Sequence, residues 1–343
     1  MDILLIDDSF PFDGYTPSSQ PLGGVEKAFA SLPAALRRRG HDVRVINRCR
    51  FPVAAHGVPW QTWEDPRPES CDVLIAHRKP ALLDFPVRAR RRILWLANPG
   101  GSLETGLNAA VLGRHGDTPL VFSGPAHRAT CPRAFEDRAV VVEPGVRDDY
   151  LDAGEMAPAH PPRAVVTTHP LNGLDWLLRL WITDVRPKVE GAELHVYSAT
   201  LDKGALGGEM PERIKPILDL AISARDKGVV IERPRADPDM AEGYRAARVH
   251  LYPGAANEVY CSTLAETQAV GVPAVTRRFA AAGERIRDGE TGFAVPDDEA
   301  FASCAILLLS HDDVFRGRSA DARAHQRGRG WDAVAAGFEA LFE

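Results

Sequence analysis

The sequence predicts two Rossmann-like α/β domains, each built on a parallel sheet. Three observations carry this. At 343 residues the chain is longer than a single core usually supports. Short, wholly apolar runs at residues 3–6, 73–75, 93–96, 120–122 and 140–142 alternate with polar or helical connections, as strands covered on both faces require. That rhythm stops at Met156-Ala157-Pro158-Ala159-His160-Pro161-Pro162, a stiff linker candidate, and restarts immediately after it.

In order, residues 1–6 form a buried strand followed by a long polar loop that ends at Gly23 and Gly24. A helix is predicted over 25–39, with Val25, Phe29, Leu32 and Leu36 on one face and Gly40 as its stop. Pro33 inside it should kink the helix or shift its start. Residues 41–46 supply the next strand, completing a βαβ unit. Its glycine pair stands where a backbone must approach something closely, although it is no GxGxxG fingerprint. Beyond the linker, strands are predicted at 164–168, 193–197, 229–231 and 249–252, and helices near 174–185, 211–225, 240–247 and 301–309. The chain closes on an amphipathic helix with Trp331, Val334, Phe338, Leu341 and Phe342 along one face. The expected domains are 1–157, 158–328, and a terminal helix, 329–343, that returns to the first domain.

Composition narrows the function. A net charge of -6 argues against a nucleic-acid partner. No stretch approaches the roughly 20 apolar residues that cross a bilayer. The first apolar run meets Asp7 and Asp8 too soon for a signal peptide, so a cytoplasmic protein is expected. Five scattered cysteines without a CxxC or Cys/His cluster read as free thiols. Arg88, Arg90, Arg91 and Arg92 form a basic run before a strand. It reads either as an ordinary solvated helix end or as a peripheral contact for anionic lipid at the inner face of a membrane.

The most informative stretch is 251–276, which reads as a strand end, a polar loop, a helix opening at Ser262 and Thr263, a stop at Gly271 and a new strand. Glu258 and Glu266 bracket the helix start with seven residues between them. A carboxylate beside unpaired helix-start amides suits a sugar joined to phosphates, because hydroxyls need acceptors and a diphosphate needs donors. Glu266 is placed in the first turn. Thr263-Leu264-Ala265-Glu266 is equally a capping box, and Glu258 alone could be a solvated loop residue.

Taken together, the motifs resemble those of the family 4 retaining glycosyltransferases of the GT-B fold. Gly23-Gly24-Val25-Glu26, Gly40-His41-Asp42-Val43, Asp72 to His77 and Glu143-Pro144-Gly145-Val146 lie in the first half. The family's E-x7-E pattern falls on Glu258 to Glu266, and Gly271-Val272-Pro273-Ala274-Val275 and the segments 283–284 and 289–293 follow in the family's order. The resemblance implies two domains facing a cleft and transfer with retained anomeric configuration. It makes Glu266 a ribose acceptor and Glu258 and His77 partners of the donor sugar. Backbone amides of Tyr260, Cys261, Ser262, Thr263 and Leu264 would hold sugar and diphosphate, and Gly23 and Gly24 would let the first domain close over them. It implies neither a metal nor another cofactor. The partners it implies are a UDP- or GDP-sugar donor and a saccharide or lipid-linked acceptor, as in surface-polysaccharide or lipopolysaccharide assembly.

One departure stands out. The family places an Arg and a Lys in the loop after the first strand of the second domain. Here that loop is Thr167-Thr168-His169-Pro170-Leu171-Asn172-Gly173, with Asn172 at about the Lys position and no matching Arg. His169 and Asn172 are therefore the expected neighbours of the diphosphate, with Lys203, Arg277 and Arg278 as further candidates. Two alternatives stay open, the first of them favoured by this departure. One is a nucleotide-sugar-binding protein with little or no transfer, the other a GT-B epimerase or phosphorylase. Asp237-Pro238-Asp239 has the letters of a metal-binding DxD motif, but Pro at a helix start makes it a capping turn.

Overall fold

The computed structural model describes residues 1–343, which divide into two units: 1–147 with 328–343, and 148–327. The division falls ahead of the predicted linker. Residues 148–157 go with the second unit because Tyr150, fully buried, stacks on Tyr244 and donates a 2.7 Å hydrogen bond to Asp237.

The first unit is built on strands β1 (Asp2–Ile6), β2 (Asp42–Ile46), β3 (Val53–Ala55), β4 (Val58–Gln61), β5 (Ser70–His77), β6 (Arg88–Trp95), β7 (Leu120–Phe122) and β8 (Ala139–Val141). Their order is β3-β4-β2-β1-β5-β6-β7-β8, parallel except for the β3–β4 hairpin. The apolar runs of β1 and β5 lie side by side and are buried on both faces, as their unbroken hydrophobicity requires. The Gly24–Arg38 helix starts on the glycine pair and continues through Pro33. The arginine run is part of β6 itself and is not a helix end. Arg92 caps the carbonyls of Leu83 and Val87, Arg91 holds that of Leu341, and Arg88 and Arg90 are exposed, in surface ion pairs with Glu69 at 3.4 Å and Asp72 at 3.6 Å.

The last helix, Trp331–Glu339, packs on this unit. Trp331, Val334, Phe338 and Phe342 enter a core shared with Phe29, Leu36 and Trp95, each such burial contributing roughly 1.5–3 kcal/mol. Polar contacts fix its register. Arg39 grips Glu339 through two bonds of 2.7 and 2.6 Å, and with His41 holds that carboxyl down at about 2.

The second unit carries β9 (Arg163–Val166), β10 (Glu193–Tyr197), β11 (Val229–Glu232), β12 (Val249–Tyr252), β13 (Ala274–Arg277) and β14 (Gly292–Val295), all parallel in the order β11-β10-β9-β12-β13-β14. The chain leaves β12 at the middle of the sheet and re-enters at its neighbour β13. The loops after β9, β12 and β13 therefore emerge beside one another at the carboxyl ends of the strands, where sheets of this kind hold ligands. The helices flanking this sheet include Asp298–Ser310 and a second one, Asp312–Gln326, for which the sequence reading made no provision.

Candidate functional site

The loop after β12 turns at Gly254, whose φ of +69° favours glycine, and runs to Cys261, the N-cap of the Ser262–Val270 helix. That start corrects one expectation. With Ser262 as the first helical residue, Glu266 lies beyond the first turn, and the cap carries no side-chain hydrogen bond, so the Thr263–Glu266 capping box does not form. The helix ends as predicted at Gly271, where φ is +98° and the Val272 amide reaches back to the Thr267 carbonyl at 2.8 Å.

Glu266 is instead a buried carboxylate, only 6% exposed, in a pocket of phenols. Burial, and after it the negative charge of Glu266, pushes the hydroxyls of Tyr150, Tyr244 and Tyr260 upward. Glu258 is half-buried, accepts from the Tyr252 hydroxyl, and has its backbone carbonyl tied to the Ala281 amide at 3.2 Å. Burial raises its pKa while the Tyr252 and Cys261 side chains oppose the rise. All five cysteines are free, and burial holds the Cys261 thiol, beside Glu258, well above its usual range. Tyr260, Ser262 and Thr263 are half-buried, whereas Leu264 points wholly into the core, leaving only its backbone for a ligand.

The loop after β9 is fastened to this helix by a neutral network. Thr167 Oγ1 lies 2.8 Å from Thr263 Oγ1 and 3.1 Å from His250 Nε2, and His250 Nδ1 lies 3.0 Å from Thr267 Oγ1. Complete burial takes the His250 pKa down to about 3, so the imidazole is neutral. Sequence reasoning missed Thr167 and His250 as site residues. The one available signal was a His inside the apolar run of β12, which must be satisfied by something.

His169 and Asn172 sit in the same loop, the Asn172 amide donating to the His169 carbonyl at 2.8 Å. His169 is exposed, and its Nδ1 accepts from the Leu171 amide at 3.2 Å. Partial burial and then the charge of Arg213 lower its pKa, so it offers a neutral ring and no cation. Of the other candidates, Arg278 is occupied by Asp288 at 2.7 Å and the Ala294 carbonyl at 2.6 Å. Lys203 packs along Gly208 in the segment after β10. Asp237 opens the Asp237–Arg245 helix as a buried acceptor for Tyr150, not as its cap.

In the first unit, Gly23 caps the Gly24–Arg38 helix, and a Cβ there would collide with the Glu26 carboxylate. His77 ends β5, fully buried, with Nδ1 2.7 Å from Asp7 Oδ2 and its ring stacked on Phe29 at 4.8 Å. Burial would raise the Asp7 pKa, but the hydrogen bonds of His77 and Ser9 hold it below its usual value. Arg78 follows with φ +68°, pairs with Glu26, and brings Nε within 3.8 Å of Asp7. Sequence reasoning assigned no role to Asp7, Glu26 or Arg78, although Asp7 directly follows a buried strand.

Comparison with known proteins fits this arrangement. Residues 164–311 match the family model described as glycosyl transferases group 1. A D-inositol 3-phosphate glycosyltransferase of Thermomonospora curvata is 36% identical over 108 residues, 31% of this chain and 25% of that protein. A second, from Thermobispora bispora, is 29% identical over 58% of this chain and 49% of its own length, so the chain aligns with a half or less of either. Among solved structures, sucrose-phosphate synthase from Thermosynechococcus elongatus superposes with a TM-score of 0.72 at 13% identity, covering 99% of this chain and 98% of that one. Anabaena HepE, solved in complex with UDP and glucose, gives 0.71 at 13% identity, with the same coverage of both chains. The fold is GT-B, and the resemblance to the family 4 glycosyltransferases holds.

Proposed function

From residues 164–311, which match the group 1 glycosyltransferase model, within a chain of GT-B fold, we propose that the protein transfers a sugar from a nucleotide-sugar donor to a saccharide or glycolipid acceptor with retention of anomeric configuration. The observation that carries this reading is the fastening of the Thr167–Gly173 loop to the start of the Ser262–Val270 helix, beside two half-buried or buried carboxylates. Glu266, held among phenols and not spent on capping, is the acceptor for the ribose hydroxyls. Glu258, with its pKa raised, serves the hydroxyls of the donor sugar. The amides of residues 260–264 serve sugar and diphosphate. His77, oriented by Asp7 through Nδ1, presents its other nitrogen as a sugar-hydroxyl partner, and Gly23 and Gly24 keep the adjoining backbone bare. No side chain is asked to form a covalent intermediate. The rate comes from positioning and from stabilising charge on the departing diphosphate, which itself takes the acceptor's proton. A UDP- or GDP-linked donor and an acceptor of surface-polysaccharide or lipopolysaccharide type, met at the inner membrane face through Arg88 and Arg90, complete the proposal.

A thermal-shift screen against UDP, GDP, ADP and their sugar conjugates, without added metal, identifies the donor, because a ligand of the folded state raises apparent stability. NMR of the product then reports the anomer, and an inverted product would overturn the retaining mechanism. One observation favours a second reading, binding without efficient transfer: the loop that holds Arg and Lys in the family offers only Thr167, His169 and Asn172 here. Donor binding without acceptor-dependent release of nucleoside diphosphate would establish it.

A further inference from the structure

The Thr167–Gly173 loop lacks a cation of its own, yet a guanidinium lies against it. Arg277, the last residue of β13, bends back across the ends of the strands. Its Nε donates to the Pro253 carbonyl at 2.7 Å and Nη2 reaches the Gly254 carbonyl at 3.4 Å. The guanidinium carbon lies over two rings, 4.2 Å from the centroid of Trp176 and 4.7 Å from that of Phe279. Gly173 lies on its other flank, where a Cβ would stand 3.2 Å from Nη2. Arg277 thus touches the turn that follows β12 and the residue next to Asn172, the two segments that frame the proposed phosphate position.

Its pairing is what sets it apart. Arg278, the next residue, is neutralised by Asp288, whereas Arg277 makes no ion pair. Asp298, the acid that acts on it at longer range, already accepts from Trp176 Nε1 at 3.0 Å. A guanidinium carries five N–H donors and is never deprotonated in a protein, and two carbonyls occupy only two of them. Holding an unneutralised, partly buried cation against two rings costs solvation, which the ring faces and two carbonyl contacts offset only in part. An anion on the N–H donors that the two carbonyls leave unused would complete the site.

We propose that Arg277 binds the terminal phosphate of the nucleotide donor and stabilises the leaving diphosphate, supplying from the end of β13 the positive charge that the Thr167–Gly173 loop lacks. The inference rests on the nucleotide-sugar reading and deepens it. The ligand class is a nucleoside diphosphate, discriminated from the monophosphate by this side chain.

The test is isothermal calorimetry of the full chain with UDP, UMP, GDP and GMP, comparing wild type with Arg277→Gln and Arg277→Lys. Gln keeps a donor for the Pro253 carbonyl without charge, and Lys restores charge without the fork. The wild type should prefer the diphosphate of its cognate base. Arg277→Gln should lose about tenfold or more of diphosphate affinity while monophosphate affinity changes less than about threefold, and Arg277→Lys should recover part of the preference. Equal losses for both nucleotides, or an intact preference in Arg277→Gln, would reduce Arg277 to a staple between loops and overturn the inference while leaving the nucleotide-sugar reading in place. Binding of no nucleotide by a cooperatively melting wild type would overturn both.

Discussion

In the first unit the polar residues at the ends of β1 and β5 find partners close by: Asp7 hydrogen-bonds His77, and Arg78 pairs with Glu26 of the Gly24–Arg38 helix and, at longer range, Asp7. In the second, the groups that join the loop after β9 to β12 and to the Ser262–Val270 helix are neutral, Thr167, His250, Thr263 and Thr267, and the nearby cation Arg277 makes no ion pair. The contrast separates two tasks that polar groups perform at strand ends. A closed set of charges fixes geometry, here the tautomer and direction of His77, but has little charge left for a ligand. A neutral frame fixes geometry equally well and leaves the free charge to act outward.

The largest effect that would break this comparison is expected at Arg78. Arg78→Ala removes the partner of the buried Glu26 while keeping the cost of the left-handed backbone, and should destabilise the first unit by about 3–5 kcal/mol, read from urea unfolding. A loss below 1 kcal/mol would mean that the charged set is not structural.

Acid separates the units next. His250 resists protonation until about pH 3 in the fold but takes its proton near 6.5 in the unfolded chain, so acidification below 6.5 favours unfolding. Its share of stability should fall by up to about 1.4 kcal/mol per pH unit below that point. Asp7 behaves oppositely in range. Its folded pKa lies below 3.8, so its contribution is intact above that value and is lost only as pH falls further, through the folded pKa. Denaturant melts from pH 7 to 4 should therefore show a slope in wild type that flattens in His250→Asn and persists in Asp7→Asn. Identical slopes in all three proteins would count against the neutral frame.

The smallest effect sharpens the picture. Thr167→Val preserves shape and removes one neutral hydroxyl, which should cost about 1 kcal/mol by the same melts. Because the hydroxyl sits at the loop's root, nucleotide affinity should drop as well, whereas a stability loss alone would confine Thr167 to packing.

The sequence carried much of the fold because buried parallel strands are continuous apolar runs: β1, β7, β10 and β12 could be read almost residue by residue, and β5 by its apolar centre, 73–75, of the full Ser70–His77. The β3–β4 hairpin escaped because its strands are three and four residues long, Pro59 interrupts the second, and the turn is His56-Gly57, with φ of +50° and +76°, not an Asn-Gly or Asp-Gly signal. The Ser262–Val270 helix opens where the sequence placed it, but with Cys261 as N-cap Glu266 falls beyond the first turn, which the preference of Ser and Thr for the cap position hid. Within the site, spacing exposed Glu258 and Glu266 as a pair. It could not expose Thr167, His250 or Arg277 as neighbours, since they come together only through the order β9-β12-β13, and no local pattern encodes which strand ends lie side by side.

The most direct measurement of the central claim, that the second unit holds a nucleotide diphosphate through a buried carboxylate, is the calorimetric affinity of the donor's nucleoside diphosphate for wild type and Glu266→Gln, with melting recorded for both. The account predicts that Glu266→Gln melts as wild type does within a few degrees and binds at least about tenfold more weakly, the worth of a charge-assisted hydrogen bond. Equal affinity in the two proteins would contradict it and return Glu266 to the core of a site with some other purpose.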